Sequence, residues 1–276
     1  MYAEVGPAEG SIQHRVLEKH AGFSYRTLLG ECMYAYITCR PDIGYAVTSL
    51  SKFSNAPSKY HYKLLKGVAK YLRSTIDWGI RFHRTKPLKH PQFQPTKWYN
   101  IPDDNGFSKT VNINQPLLIG FCDAAHANDL RKQRSTTGII FTFCGGAIVW
   151  KSKTQSLTAG SSTEAEFFAA YEAGKICRFL RMVMKQLGYE QSLATTIYID
   201  NMSALKMINE NTSPTERCRY VDLRYWAIQD WKRVDQSLFM THLPGVLNIS
   251  DDQTKPLGWI LHARHCRRAM GHYGPS

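Results

Sequence analysis

The stretch "LLIGFCDAA" (Leu117 to Ala125), followed by "TGIIFTFCGGAIVWKSK" (Thr137 to Lys153), decides the fold. Both segments are largely apolar, and the second is rich in β-branched and aromatic side chains, which is the composition of strands. Gly145-Gly146 is the kind of pair that closes a tight hairpin. Three short antiparallel strands are therefore expected. Downstream come a helix from Ser162 to Gly188, a strand "TTIYIDN", a helix from Ser203 and a basic aromatic helix "RCRYVDLRYWAIQDWKR". A strand "SLFMTHLPG" and a C-terminal helix complete the chain. A meander followed by helix, strand, helix and strand describes a mixed α/β sheet flanked by helices.

The first of these helices opens with "SSTEAEFFAA" (Ser161 to Ala170), which carries two glutamates two residues apart. Ser161 with Glu164, and Thr163 with Glu166, both fit the capping-box spacing, so either acid could be structural. Periodicity separates them. At roughly 100° per residue, Glu166 heads a stripe of Ala169, Ala170, Ala173, Ile176, Cys177, Leu180, Val183, Met184 and Leu187. Glu164 falls on the side of Lys175, Arg178 and Lys185. A carboxylate aligned with a buried stripe needs a cation or a metal as partner.

Upstream, residues 25 to 82 read as a helical unit closing with a strand, with Pro41 suited to a first helical turn and Ser58 capping a further helix. In that helix Lys59, Lys63, Lys66, Lys70 and Arg73 repeat every three or four residues, opposite Leu65, Val68 and Leu72. Such a stripe is either a solvated face or a grip on phosphate backbone. From 83 to 116 prolines recur without a sustained period, the composition of a linker or insertion. The expected domains are thus a helical region over 1–82, the linker over 83–116 and the α/β domain over 117–276.

With 276 residues the chain can bury a sizeable core, and its net charge of +13 points to a polyanionic partner. Seven cysteines without a CxxC pair fit buried thiols in a reducing compartment. No apolar run is long enough to span a bilayer and no signal-type segment stands at the start, so a soluble intracellular protein without membrane contact is expected. "HARHC" near the C-terminus offers nitrogen and sulfur donors but lacks a second ligand pair at zinc-finger spacing. Trp150, Trp226 and Trp231 suit core packing or stacking on bases.

Three more acids stand where solvation explains them poorly. Asp123 shares a strand face with Leu117, Ile119 and Phe121, Asp200 ends the strand "IYID", and Asp251 opens the last helix in "NISDDQTKP". Each alone could be a cap; together with Glu166 they form a set.

The order Asp, Glu, Asp, Asp on meander, helix, strand and final helix resembles the ribonuclease H domain. "FCDAAHANDLRKQRSTTGIIF", "GGAIVWKSKTQSLTAGSSTEAEF", "IDNMSAL" and "DDQTKPL" are similar to the ribonuclease H region of copia-type LTR retrotransposon polyproteins. The block "YRTLLGECMYAYITCRPDIGYAVTSLSKFSNAPSKYHYKLLKGVAKYL" is similar to the part that follows the polymerase active site in them.

The resemblance implies a ribonuclease H-like five-stranded mixed sheet after a small thumb- or connection-like helical region. It implies Asp123, Glu166, Asp200 and Asp251 as catalytic metal ligands for two Mg2+ ions, with Mn2+ as a substitute, and hydrolysis of the RNA strand of RNA/DNA hybrids. Asp251 is preferred over Asp252 because the family acid stands three before the threonine of "TKP". Implied partners are the hybrid, its phosphate backbone and the upstream polymerase part of the same polyprotein, in a cytoplasmic virus-like particle or the nucleus. Further cationic positions for backbone contact are Arg131, Lys132, Arg134, Arg217, Arg219 and Arg224. Val246 stands where many relatives place a histidine, leaving His242 as a candidate substitute, and no "YxDD" polymerase motif is present. The alternatives are a decayed, non-catalytic hybrid-binding domain, or an integrase-like nuclease, which would need glutamate as its last acid.

Overall fold

A computed structural model of the protein describes residues 5–83, 117–129, 131–209 and 219–272, with the side chains of 219–222 excepted. The expected linker over 83–116 therefore lies almost wholly outside the described residues. Helices α1 (Ile12–Ala21), α2 (Tyr25–Thr38), α3 (Gly44–Ser51) and α4 (Lys59–Ser74) come first. A 3-10 turn, Pro41–Ile43, carries proline at its start, where a missing N–H costs nothing. The strand expected to close this unit is not formed. Instead Arg81 donates its N–H to the carbonyl of Met270 at 2.8 Å and His83 donates to that of Cys144 at 2.8 Å.

The sheet contains β1 (Ile119–Asp129), β2 (Arg134–Phe143), β3 (Gly146–Thr154), β4 (Thr195–Ile199) and β5 (Leu238–His242), in the order β3-β2-β1-β4-β5. The first three are antiparallel, while β4 runs parallel to β1 and β5 parallel to β4. This is the ribonuclease H-like mixed sheet flanked by helices that the resemblance implies. The meander strands are longer than expected, and the hairpin turn is Cys144-Gly145, with Phe143 paired to Gly146. Both turn residues have positive φ, 49° and 83°, the left-handed pair that a two-residue hairpin requires.

Between β3 and β4 the chain forms α5 (Ser162–Gln186), and α6 (Met202–Asn209) and α7 (Arg219–Arg233) follow β4. They cover one face of the sheet, with Ile139, Phe141, Ile197 and Met240 from the strands meeting Phe167, Ala170, Ile208 and Ile228. Leu187, expected on the buried stripe, is 68% exposed because α5 ends one residue before it. Trp231 packs in this core with its ring 5.4 Å from that of Tyr171, whereas Trp226 is exposed.

On the opposite face lie two 3-10 turns, Gly245–Leu247 and Ile249–Gln253, and then α8 (Trp259–Ala269). Asp251 therefore sits in a buried 3-10 turn rather than opening the last helix, which starts eight residues later. Pro256 and Gly258 stand between them and interrupt any longer helix.

The N-terminal helices dock on this second face through β3. Trp150 donates its indole N–H to the carbonyl of Tyr36 at 2.7 Å, and the N–H of Ser152 donates to the Tyr36 hydroxyl at 2.9 Å. Thr48 and Ser152 hydroxyls meet at 3.0 Å, and Gln253 donates to the Pro41 carbonyl at 2.7 Å. The exposed edge of β3 is thereby capped by side chains, which also blocks unwanted strand pairing. Replacing Tyr36 with Phe leaves the buried Ser152 N–H without its acceptor, at a cost of about 1–3 kcal/mol. A lower urea midpoint is expected for Tyr36→Phe, and an unchanged midpoint would contradict this docking.

Candidate active site

Strand register brings the first two acids together. Phe121 is paired with Tyr198 on the parallel strand, so Asp123 and Asp200, each two residues further on, emerge side by side where β1 leaves β4. On its other side Asp123 faces Gly138 across the antiparallel ladder. A Cβ at Gly138 would lie 2.6 Å from the carbonyl oxygen of Ser250 and 2.6 Å from the Thr254 methyl. The absent side chain is what lets the turn carrying Asp251 settle against the sheet. Asn248, fully buried, secures the turn by donating to the Cys122 carbonyl at 3.0 Å while accepting from the Ser250 hydroxyl at 2.6 Å.

Carboxylate oxygens of Asp123, Asp200 and Asp251 lie within 4.8 Å of one another. Glu166, from the first turns of α5, reaches the same group: it hydrogen-bonds Asp123 and accepts the N–H of Ala124. Asp123, Glu166 and Asp251 are buried, at 2%, 5% and 5% exposure. Glu164 lies apart from them, its carboxylate accepting the Gly160 N–H at 2.7 Å while its own N–H donates to Ser161. Asp252 points elsewhere, toward His262 at 2.9 Å.

Burial, followed by the charges of Asp123 and Asp200, pushes the Glu166 carboxyl up to about 10. Burial and then Asp123 push Asp251 up to about 7, against the pull of Lys255. Asp200 is raised by burial and Asp123, with Lys255 and His242 opposing. The Lys255 ammonium lies 3.0 Å from Asp251 and 3.9 Å from Asp123. Burial lowers its pKa, but those two carboxylates more than offset this and raise it. The Thr254 hydroxyl donates to Asp123. Oε2 of Glu166 and Oδ1 of Asp251 are buried and have no hydrogen-bond partner among the described residues.

Sequence reasoning left Lys255, Thr254, Asn248 and Gly138 without roles, although the first two lie within the quoted "TKP" stretch. Their importance depends on the turn folding back across β1 and β2. The cationic candidates are dispersed. Lys59, Lys63, Lys66, Lys70 and Arg73 line the exposed side of α4 and form no ion pair among the described residues. Arg131, Lys132 and Arg134 line a cleft of about 390 Å³ with Lys52 and Phe53, and the Arg131 guanidinium lies 5.7 Å from the Phe53 ring centre. Arg224 stacks over Phe168 at 4.4 Å. Arg217 lies outside the described residues, as does the side chain of Arg219.

A carboxyl group raised on folding binds its proton more tightly in the folded chain than in the unfolded one. The stability it contributes is full below 4.5 and is lost as pH rises toward about 10. In chelator, the melting midpoint of the wild type should therefore fall more steeply between about pH 5 and about pH 9 than that of Glu166→Gln. Parallel curves would contradict the burial of Glu166 among like charges.

No protein-family model matches the chain. It is 32% identical over 231 residues to the retrovirus-related Pol polyprotein from transposon TNT 1-94 of Nicotiana tabacum, covering 84% of this chain and 15% of that one. Identity to the Pol polyprotein from transposon RE2 of Arabidopsis thaliana is 27% over 244 residues, 88% of this chain and 15% of that one. A Plasmopara viticola protein, secreted RxLR effector protein 161, is 34% identical over 149 residues, 54% of this chain and 85% of that one. Among solved structures, LC11-RNase H1, isolated from compost by a metagenomic approach, superposes with a TM-score of 0.38 at 16% identity, covering 50% of this chain and 92% of that one. The chain spans about 15% of the length of the polyproteins it matches. No helix among the described residues is long and apolar enough to cross a membrane. With similarity running through both the helical unit and the sheet domain, the chain belongs to the retrovirus-related Pol polyproteins of copia-type transposons.

Proposed function

We propose that this chain is the ribonuclease H-bearing end of a retroelement reverse transcriptase and hydrolyses the RNA strand of RNA/DNA hybrids. The observation that carries the reading is the convergence of Asp123, Asp200 and Asp251, with Glu166 against Asp123, where Oε2 of Glu166 and Oδ1 of Asp251 are buried without a hydrogen-bond partner among the described residues. An all-oxygen donor set of this charge suits a hard divalent ion, Mg2+ with Mn2+ as a substitute. Asp123, Glu166, Asp200 and Asp251 would hold two such ions. Bound there, the ions would lower the pKa of a water and stabilise the leaving oxygen of an in-line displacement at phosphorus.

The protein's own groups prepare that site. Thr254 fixes the Asp123 carboxylate by donating to one of its oxygens. Lys255 offsets the negative charge beside Asp251 from the solvent side, and the packed sheet and α5 keep the acids rigid. His242, paired with Ile199 at the end of β5, is one of the groups that oppose the rise of the Asp200 pKa. The helical unit would serve as the thumb or connection toward the upstream polymerase part. Its lysine stripe, the cluster at Arg131, Lys132 and Arg134, and Arg224 with the basic helix would grip phosphate and fix register without reading bases. The setting would be a cytoplasmic virus-like particle or the nucleus.

A decayed, purely hybrid-binding domain is the competing reading. Buried carboxyls raised against one another favour the catalytic one, because binding a polyanion gains nothing from them. With labelled RNA/DNA hybrid and Mg2+, cleavage of the RNA strand is expected. Asp123→Asn and Glu166→Gln should each lose more than about a hundredfold, since even groups that only orient metal ligands contribute about 10–100-fold. Glu164→Gln should cleave normally; loss there with activity kept in Glu166→Gln would reverse the assignment. Hybrid binding without cleavage in the wild type would favour the decayed domain. For the stripe, Lys63, Lys66 and Lys70 changed together to Gln should flatten the slope of log affinity against log salt by roughly two to three units. An unchanged slope would make it a solvated face.

A further inference from the structure

His262, His265 and Cys266 share one face of α8, three and four residues apart. The acid that their sequence neighbourhood lacks comes from the turn Ile249–Gln253, whose Asp252 faces them. Asp252 Oδ1 lies 2.9 Å from His262 Nδ1, and its Oδ2 lies 3.7 Å from the Cys266 sulfur. That sulfur is 3.5 Å from His262 Nδ1. A tetrahedral ion with bonds of about 2.0–2.3 Å holds neighbouring N, O and S ligands about 3.3–3.6 Å apart. The three donors thus already stand near ligand spacing, and the Asp252–His262 pair needs to open by only about 0.4 Å.

A second observation points to a cation. His265 is fully buried, and its Nε2 faces the Val246 carbonyl at 3.1 Å, which can only accept a hydrogen bond. The proton of the neutral ring is therefore on Nε2. Nδ1 is left as a bare lone pair without a hydrogen-bond partner among the described residues, 4.0 Å from Asp252 Oδ2. A lone pair facing a carboxylate oxygen is unfavourable unless something positive lies between them.

The other ring is oriented as metal-bound histidines are, with its remaining nitrogen tied to a polar partner. His262 Nε2 lies 3.2 Å from the Tyr71 hydroxyl, which donates to Asp42 at 2.8 Å; Asp42 is held by the buried Arg40 guanidinium at 2.7 Å.

We propose that Asp252, His262 and Cys266, with His265 Nδ1 as fourth donor, bind one Zn2+ ion that clamps α8 to the turn carrying Asp251. Nitrogen and thiolate donors suit zinc and distinguish this site from the all-oxygen cluster next to it. On binding, the Cys266 thiol loses its proton to solvent and the sulfur takes the bond to zinc. Burial, followed by the Asp252 charge, raises the thiol's pKa, so it is protonated until the ion arrives.

The test uses the full chain, stripped with chelator and titrated with Zn2+, then with Co2+, whose thiolate charge-transfer absorption reports sulfur ligation. One tightly held equivalent of Zn2+ and a thiolate band with Co2+ are expected for the wild type. Both should persist in Asp123→Asn and in Cys39→Ser, which alters an exposed thiol, and both should be lost in Cys266→Ala and His262→Gln. A wild type that retains no zinc, or a thiolate band that survives Cys266→Ala, overturns the proposal. The wild-type titration decides even where a variant does not fold.

Discussion

Carboxyl groups taken out of water and placed against one another repel, and the fold must either protonate them or bring positive charge to them. Asp123 stands at the centre of that constraint. It is 2% exposed and touched by Glu166, Asp251, Thr254 and Lys255, so every element contributing to the cluster is positioned with respect to one residue of β1. The protein answers in part with its own groups. Glu166 is driven up to about 10, and Lys255 counters Asp251 from the half-exposed side. Oε2 of Glu166 and Oδ1 of Asp251, which have no hydrogen-bond partner among the described residues, are the feature that an oxygen-seeking cation would complete.

The same turn that delivers Asp251 to this cluster delivers Asp252 to the opposite side, where α8 presents two histidines and a thiol. Adjacent residues of a short 3-10 turn point in different directions, so two neighbouring aspartates can serve two separate environments. The turn is held from a third side as well, because Gln253 reaches the Pro41 carbonyl of the N-terminal unit. Tyr71 and Asp42 of that unit extend the His262 network. The helical unit is thus packed into the surroundings of the site, and its docking, the position of the turn and the approach of Asp251 to Asp123 are mechanically linked.

Much of this was legible in the residues. Strand composition and helix periodicity identified the mixed sheet, and the angular position of Glu166 on α5 distinguished it from Glu164. Local pattern reasoning failed where a feature depends on contacts far along the chain. Local sequence places Asp251 at a helix start, yet Asn248 and Gly138, more than a hundred residues apart, seat it in a 3-10 turn. The hairpin turns one residue earlier than the Gly145-Gly146 pair predicts, since Cys144 rather than a second glycine takes the first left-handed position. The donors of "HARHC" have no partner pair nearby in sequence; the acid that faces them, Asp252, arrives through tertiary packing.

The most direct test of the central claim is a Mn2+ titration of the zinc-supplied protein, followed by the decrease of free-ion paramagnetic resonance. About two bound Mn2+ ions per chain are expected in the wild type, with binding weakened at least about tenfold in Asp123→Asn. Equal Mn2+ binding by wild type and Asp123→Asn would contradict the claim that these carboxylates are gathered around Asp123 to hold metal.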